Sequence, residues 1–67
     1  KRVVDFEGRF VFDDNDNVVV NFGKHKGKKL IDVFVTDPGY YGWMMNGDFS
    51  LNTKQVLTRI KLRGMKK

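Results

Sequence analysis

Arg9-Phe10-Val11-Phe12-Asp13-Asp14-Asn15-Asp16-Asn17-Val18-Val19-Val20-Asn21-Phe22 alternates, turns and alternates again. On the first arm Phe10 and Phe12 share a face; on the second, Val18, Val20 and Phe22 do, in a β-branched setting. The residues between the arms, Asp13 to Asn17, are dense in turn formers, and the whole predicts a β-hairpin. The acids of the turn raise the question of calcium. An EF-hand loop requires glycine at its sixth position and a bidentate glutamate at its twelfth. Counted from Asp13, those positions hold Val18 and Lys24. The segment reads as a polar turn, not a calcium site.

Directly after the hairpin comes Phe22-Gly23-Lys24-His25-Lys26-Gly27-Lys28-Lys29, with four lysines, the only histidine, two glycines and no acid. The glycines permit positive φ or a close backbone approach. Unpaired lysines are almost never buried, so these are not there for packing. Such a loop can present N–H groups and ammonium ions to phosphate oxygens; a solvated basic turn between strand and helix has the same composition. The residues alone leave both readings open. A Walker A loop is excluded, because it needs four residues between its glycines and Ser or Thr after the lysine. Here three residues separate Gly23 and Gly27, and Lys29 occupies the Ser/Thr slot. His25 has no cluster of partners to make a metal site. It is left as a hydrogen-bond donor to phosphate, a stacking surface or an exposed ring.

Further along, Leu30 to Val35 predicts a short helix, with a strand left open by its β-branched content. Asp37-Pro38 is a helix start, with Asp at the N-cap and Pro in the first turn. Tyr40, Trp43, Met44 and Gly47 follow at i, i+3, i+4 and i+7, Gly47 acting as the stop. A last helix begins near Ser50, with Thr53, Val56, Leu57 and Ile60 on its core face and Lys54 and Lys61 on a solvent-facing side. Phe10, Phe12, Trp43, Val56, Leu57 and Ile60 are the expected core. Tyr40 and Trp43 could instead stack bases, as aromatic platforms do for single strands, but their i, i+3 spacing favours core, and Tyr41 is the aromatic expected to stay exposed. The fold expected is α+β: a small single domain, an N-terminal β-hairpin packed on two or three short helices. Residues 1–8 are expected as a linker remnant or a first strand, residues 9–63 as the domain, and 64–67 as a basic tail.

With 67 residues the chain is one domain near the lower limit for autonomous folding. It has no cysteine, which excludes disulfides and thiolate zinc sites. No apolar run reaches the ~20 residues of a membrane span, and there is no signal-peptide pattern. The first residue is Lys1, not Met, so the chain is expected to be a piece of something longer. Ser50 is the only serine, and no nucleophile–base pair or set of metal-holding carboxylates is visible. No catalytic residue, metal site or cofactor is therefore expected in this piece. Charge is uneven: residues 23–29 carry four cations, residues 30–53 three acids and no cation, and residues 54–67 six cations and no acid. Brought together by the fold, the two basic segments would make one cationic patch, the footprint of a nucleic-acid binder.

Three runs taken in order resemble a known family: Asn21 to Lys28, Asp37-Pro38-Gly39-Tyr40-Tyr41-Gly42-Trp43-Met44, and Leu51-Asn52-Thr53-Lys54-Gln55-Val56-Leu57. Together they are similar to the C-terminal domain of bacterial exonuclease X-like proteins and of proteins described as the epsilon (proofreading) subunit of DNA polymerase III. The similarity covers roughly residues 5–63. It departs at Ser50, where related sequences tend to start the last helix with proline. The resemblance implies a 3′–5′ exonuclease domain of the DEDD type ahead of Lys1, with magnesium or manganese belonging to that domain. It implies that this piece is an accessory module without catalytic residues of its own. The expected contacts are Lys24, Lys26, Lys28 and Lys29 to phosphates, Gly23 and Gly27 shaping the loop, His25 donating a hydrogen bond, and Lys54 and Lys61 extending the track. DNA, single- or double-stranded and without sequence preference, is the expected partner, in a cytoplasmic monomer with no membrane contact. The alternative is a docking module that fastens the exonuclease to a polymerase or clamp subunit; a third reading is a purely structural cap.

Overall fold

A computed structural model describes residues 2–65. Strands β1 (Phe10–Phe12) and β2 (Val18–Val20) form an antiparallel hairpin, with Phe10 opposite Val20 and Phe12 opposite Val18. Helices α1 (Leu30–Thr36), α2 (Tyr40–Asn46) and α3 (Leu51–Met65) follow. The α+β expectation is borne out, with three helices.

The hairpin turn is built by one carboxylate. Asp13 Oδ1 accepts the backbone N–H groups of Asn15 at 2.8 Å and Asn17 at 2.9 Å. Asp16 takes the left-handed conformation at φ 63°, which aspartate tolerates better than most residues. Both hairpin edges are covered, which blunts strand-to-strand association. Outside β1, Val3 bridges Val11, and the Phe12 N–H donates to the Arg2 carbonyl at 2.9 Å. Outside β2, the chain returns so that Val19 bridges Lys29 and the Val20 N–H reaches the Lys28 carbonyl at 2.9 Å.

One face of every element meets at the centre. Phe10 and Val20 come from the hairpin, Leu30 and Val33 from α1, Tyr40 and Met44 from α2, and Val56, Leu57 and Ile60 from α3. Thr53, Val56, Leu57 and Ile60 are buried at the spacing that the sequence predicts. Ser50 Oγ accepts the Thr53 N–H at 3.1 Å and caps α3.

The segment before β1 clamps that same helix end. Asp5, 1% exposed, accepts the Phe10 N–H at 2.9 Å and the Thr53 hydroxyl. Glu7 accepts the Ser50 N–H at 3.1 Å, and Asn52 Oδ1 accepts the Phe6 N–H at 2.6 Å. Carboxylates at a helix N-terminus complement its dipole. The Ser50 N–H bond holds the Glu7 carboxyl below its ordinary range.

Three expectations about side chains need correction. Trp43 is 58% exposed, because α2 is only seven residues long and buries Tyr40 and Met44, leaving Trp43 on the flank of that face. Phe12 is half-buried, with the Arg2 guanidinium 4.7 Å above its ring. Tyr41 is half-buried rather than exposed: its hydroxyl lies 3.2 Å from Thr58 Oγ1 and its ring packs edge-on against Phe34. Of the tail expected at 64–67, Gly64 and Met65 belong to α3, and Lys66 and Lys67 lie outside the described residues. Among the described residues no helix is long and apolar enough to cross a membrane.

Candidate nucleic-acid interface

Between β2 and α1 the chain makes one tight excursion. Gly23 and Gly27 both take positive φ, at 66° and 90°, and Gly23–His25 forms a single 3-10 turn. No heavy atom lies within 4 Å of where a Cβ would stand at either glycine. Their conformation, not space, is what asks for glycine. Backbone donors are used inside the loop: Lys26 N–H to Gly23 O at 3.2 Å, Gly27 N–H to Val20 O at 2.8 Å, and Lys28 N–H to His25 O at 3.0 Å. These three amides are occupied, so the loop's lysine side chains, not these N–H groups, are its outward-facing donors.

His25 departs from each of the settings expected of it. The ring points inward, 8% exposed, and stands edge-on to Tyr40 at 5.0 Å. Its Nε2 donates to Asp37 Oδ2 at 3.0 Å, while its buried Nδ1 has no partner among the described residues. Asp37 lies twelve residues away in sequence, so no local pattern announced the pair. The hydrogen bond from His25, assisted by the Lys24 ammonium at 3.7 Å, holds the Asp37 carboxyl below its ordinary range. His25 is thus a pin fastening the loop to the α1–α2 junction, out of reach of a ligand on the outer face.

The same contact corrects the start of α2. Asp37 is not its N-cap: the helix begins at Tyr40, after the Pro38-Gly39 turn, and no side chain caps it. Asp37 instead closes α1, its N–H donating to Val33 O at 2.7 Å, and turns its carboxylate to the loop.

The lysines divide by surroundings. Lys24 has a side chain 77% exposed and lies 3.7 Å from Asp37 Oδ2. Lys26 and Lys28 are exposed and form no ion pair among the described residues. Lys29 lines a hollow with Arg63 of α3, but Asp16 and Asp32 line it too. Lys54 lies in a separate groove with Met45, Leu51, Thr58, Arg59 and Leu62. The Lys61 ammonium sits 5.3 Å over Phe34 and 5.4 Å over Tyr41. Among the described residues the two basic segments thus share one hollow, through Lys29 and Arg63, and Lys54 and Lys61 line neither hollow that holds a loop lysine.

Beside the loop opens a cleft of about 540 Å³, lined by Phe22, Gly23, Lys24, Asp37, Gly39, Tyr40 and Trp43. Trp43 stacks on Tyr40 at 5.7 Å with an interplanar angle of 27° and meets Phe49 edge-on at 5.8 Å. Burial raises the Tyr40 hydroxyl above its ordinary range, and the Asp37 charge adds to that. The Arg9 guanidinium lies 4.9 Å over Phe22 and 5.3 Å over Phe49, continuing the cationic and aromatic alternation. Sequence reasoning missed this cleft by assigning Trp43 to the core. The brevity of the segment between Pro38 and Gly47 was the available signal. Among the described residues no group of three acids, histidines or cysteines is placed to hold a metal ion.

The chain is, as a class, a small α+β domain that sets a basic loop beside an aromatic cleft. The family model for the exodeoxyribonuclease X-like C-terminal domain matches residues 20–47, in agreement with the resemblance seen in the sequence. That span runs through the loop, α1 and α2 and contains every residue that lines the cleft. No curated protein and no solved structure matches the chain.

Proposed function

We propose that this domain is an accessory nucleic-acid-binding module of an exonuclease, holding phosphates through Lys24, Lys26 and Lys28. The observation that carries the reading is the acid-free lysine loop, set by two positive-φ glycines and pinned from behind by His25 and Asp37. Lys26 and Lys28 have no acid partner among the described residues, so their ammonium groups meet a phosphate without first breaking an ion pair. Point-charge contacts carry no base identity, so binding is sequence-nonspecific. Tethered to a catalytic domain, even a weak grip raises the effective concentration of substrate there. The membership of that domain in the DEDD class and a place in replication and proofreading extend the same reading.

Fluorescence anisotropy with labelled oligonucleotides tests it. Wild-type affinity should fall by ~0.7 log units per log unit of salt for each single-strand phosphate neutralised, and by ~0.9 for duplex. A triple Lys24→Ala, Lys26→Ala, Lys28→Ala variant should bind more weakly on unrelated sequences, with the single-strand slope flattened by up to ~2. Equal titrations for the two proteins would refute the phosphate grip.

A second reading, docking onto a polymerase or clamp subunit, is favoured by one specific feature. Leu51 and Leu62, 72% and 61% exposed, line the groove on α3 beside Lys54 and Arg59. Exposed apolar surface with a polar rim is what a protein interface needs. Loss of polymerase-subunit binding on Leu62→Asp, with DNA binding unchanged, would support it.

A further inference from the structure

We propose that the cleft between the basic loop and α2 is a stacking site for one unpaired nucleobase, with Trp43 as its platform. The inference rests on the phosphate-binding reading of the loop and adds to it a preference for single strands.

Large aromatic side chains normally bury most of their surface, and a mostly exposed tryptophan at the rim of a concave site marks a contact surface. Here the exposed ring is also fixed. Tyr40 stacks behind it at 5.7 Å, Phe49 holds its edge at 5.8 Å, and Tyr40 is itself braced edge-on by the buried His25 ring at 5.0 Å. A platform held this way loses little conformational freedom when a base lies on it. The cleft volume of about 540 Å³ is within the usual range for small-ligand sites.

Charge sets which end of a nucleotide enters. Asp37 lines the cleft, and its Oδ1 has no hydrogen-bond partner among the described residues. A carboxylate there disfavours a phosphate inside the cleft and accepts a hydrogen bond from a base N–H. At the mouth, Lys24 supplies the cation for the phosphate of the same nucleotide, and Lys26 and Lys28 continue the loop for its neighbours. Base inward and phosphate outward is the arrangement by which aromatic platforms hold single strands with little regard to sequence. A duplex presents no free base face, so it reaches the lysines alone. An aromatic groove also suits proline-rich peptides, but these bring no charge for the lysine rim.

Trp43 is the only tryptophan, so its emission reads the cleft directly. The full chain is titrated at low salt with a short single-stranded oligonucleotide and with an abasic oligonucleotide of the same length. Both should bind, but the base-bearing strand should bind more tightly and alone should quench Trp43. Trp43→Ala should weaken binding of the base-bearing strand about 5- to 150-fold, the affinity equivalent of one lost base–aromatic stack. It should leave the abasic affinity and the circular-dichroism melt close to wild type, while Trp43→Phe restores much of the loss. Equal affinities for the two strands with unchanged emission would overturn the stacking site and leave the phosphate grip standing. Failure of both strands to bind overturns both readings. Quenching by a polyproline peptide but by neither strand would reassign the cleft to peptide.

Discussion

Asp5 is the one buried carboxylate among the described residues. With 1% of its surface exposed, it ties β1 to α3 by accepting the Phe10 N–H and the Thr53 hydroxyl. Asp5→Ala removes both acceptors and leaves a buried backbone donor without a partner. Such a loss costs ~1–3 kcal/mol, a large fraction of the stability available to so short a chain. A urea titration followed by circular dichroism should show the midpoint falling with little change in slope. An unchanged midpoint would mean that Asp5 is incidental. The sequence held no hint of this role, since its partners lie five and forty-eight residues away. His25 was opaque for the same reason. A histidine among lysines reads as solvated until the fold brings Asp37 behind it. The lysines themselves were legible, because side chains that cannot be buried must face outward whatever the fold.

At the scale of elements, the strand-to-helix loop is the part whose geometry is most demanding. Gly27 stands at φ 90° with open space around it, so Gly27→Ala meets no clash and is disfavoured by backbone conformation alone. That costs about 1–2 kcal/mol. Because Gly27 N–H holds the loop to Val20 O, the same variant should also loosen the proposed grip on phosphate. Thermal melts and anisotropy on that variant should move together; a stable protein with weakened binding would show that the loop is decoupled from the fold. The hairpin and α3 were readable because each repeats its period over enough residues for one face to be unambiguous. α2 was not. In seven residues the helical period completes barely two turns, and Trp43 falls on the flank that a longer helix would have buried. Gly47 was read as a helix stop, and it is one, but at φ −83° rather than in the left-handed region. A Cβ there would come within 2.7 Å of the Phe49 ring, so close approach is what requires glycine.

For the molecule as a whole, a +5 chain with acids in structural roles should be sensitive to acid. Hydrogen bonds lower the folded-state pKa of three carboxyls: Ser50 N–H acts on Glu7, Asn17 N–H on Asp13, and His25 on Asp37. Each binds its proton more weakly folded than unfolded. Their stabilisation is therefore present above the unfolded carboxyl range of ~4 and drains away as pH falls through the lower folded values. The melting temperature should decline between about pH 5 and pH 2, and Glu7→Gln should make that decline shallower. A flat profile over that range would show these bonds to be without net effect. The central claim, that the loop and the adjoining cleft are the nucleic-acid surface, meets its most direct test in amide chemical shifts recorded while a short single-stranded oligonucleotide is titrated into the labelled protein. The account predicts that the largest changes fall on Gly23 to Lys28 and on the Trp43 indole N–H. Changes confined to Leu51, Arg59 and Leu62, or spread evenly over every exposed lysine, would contradict it.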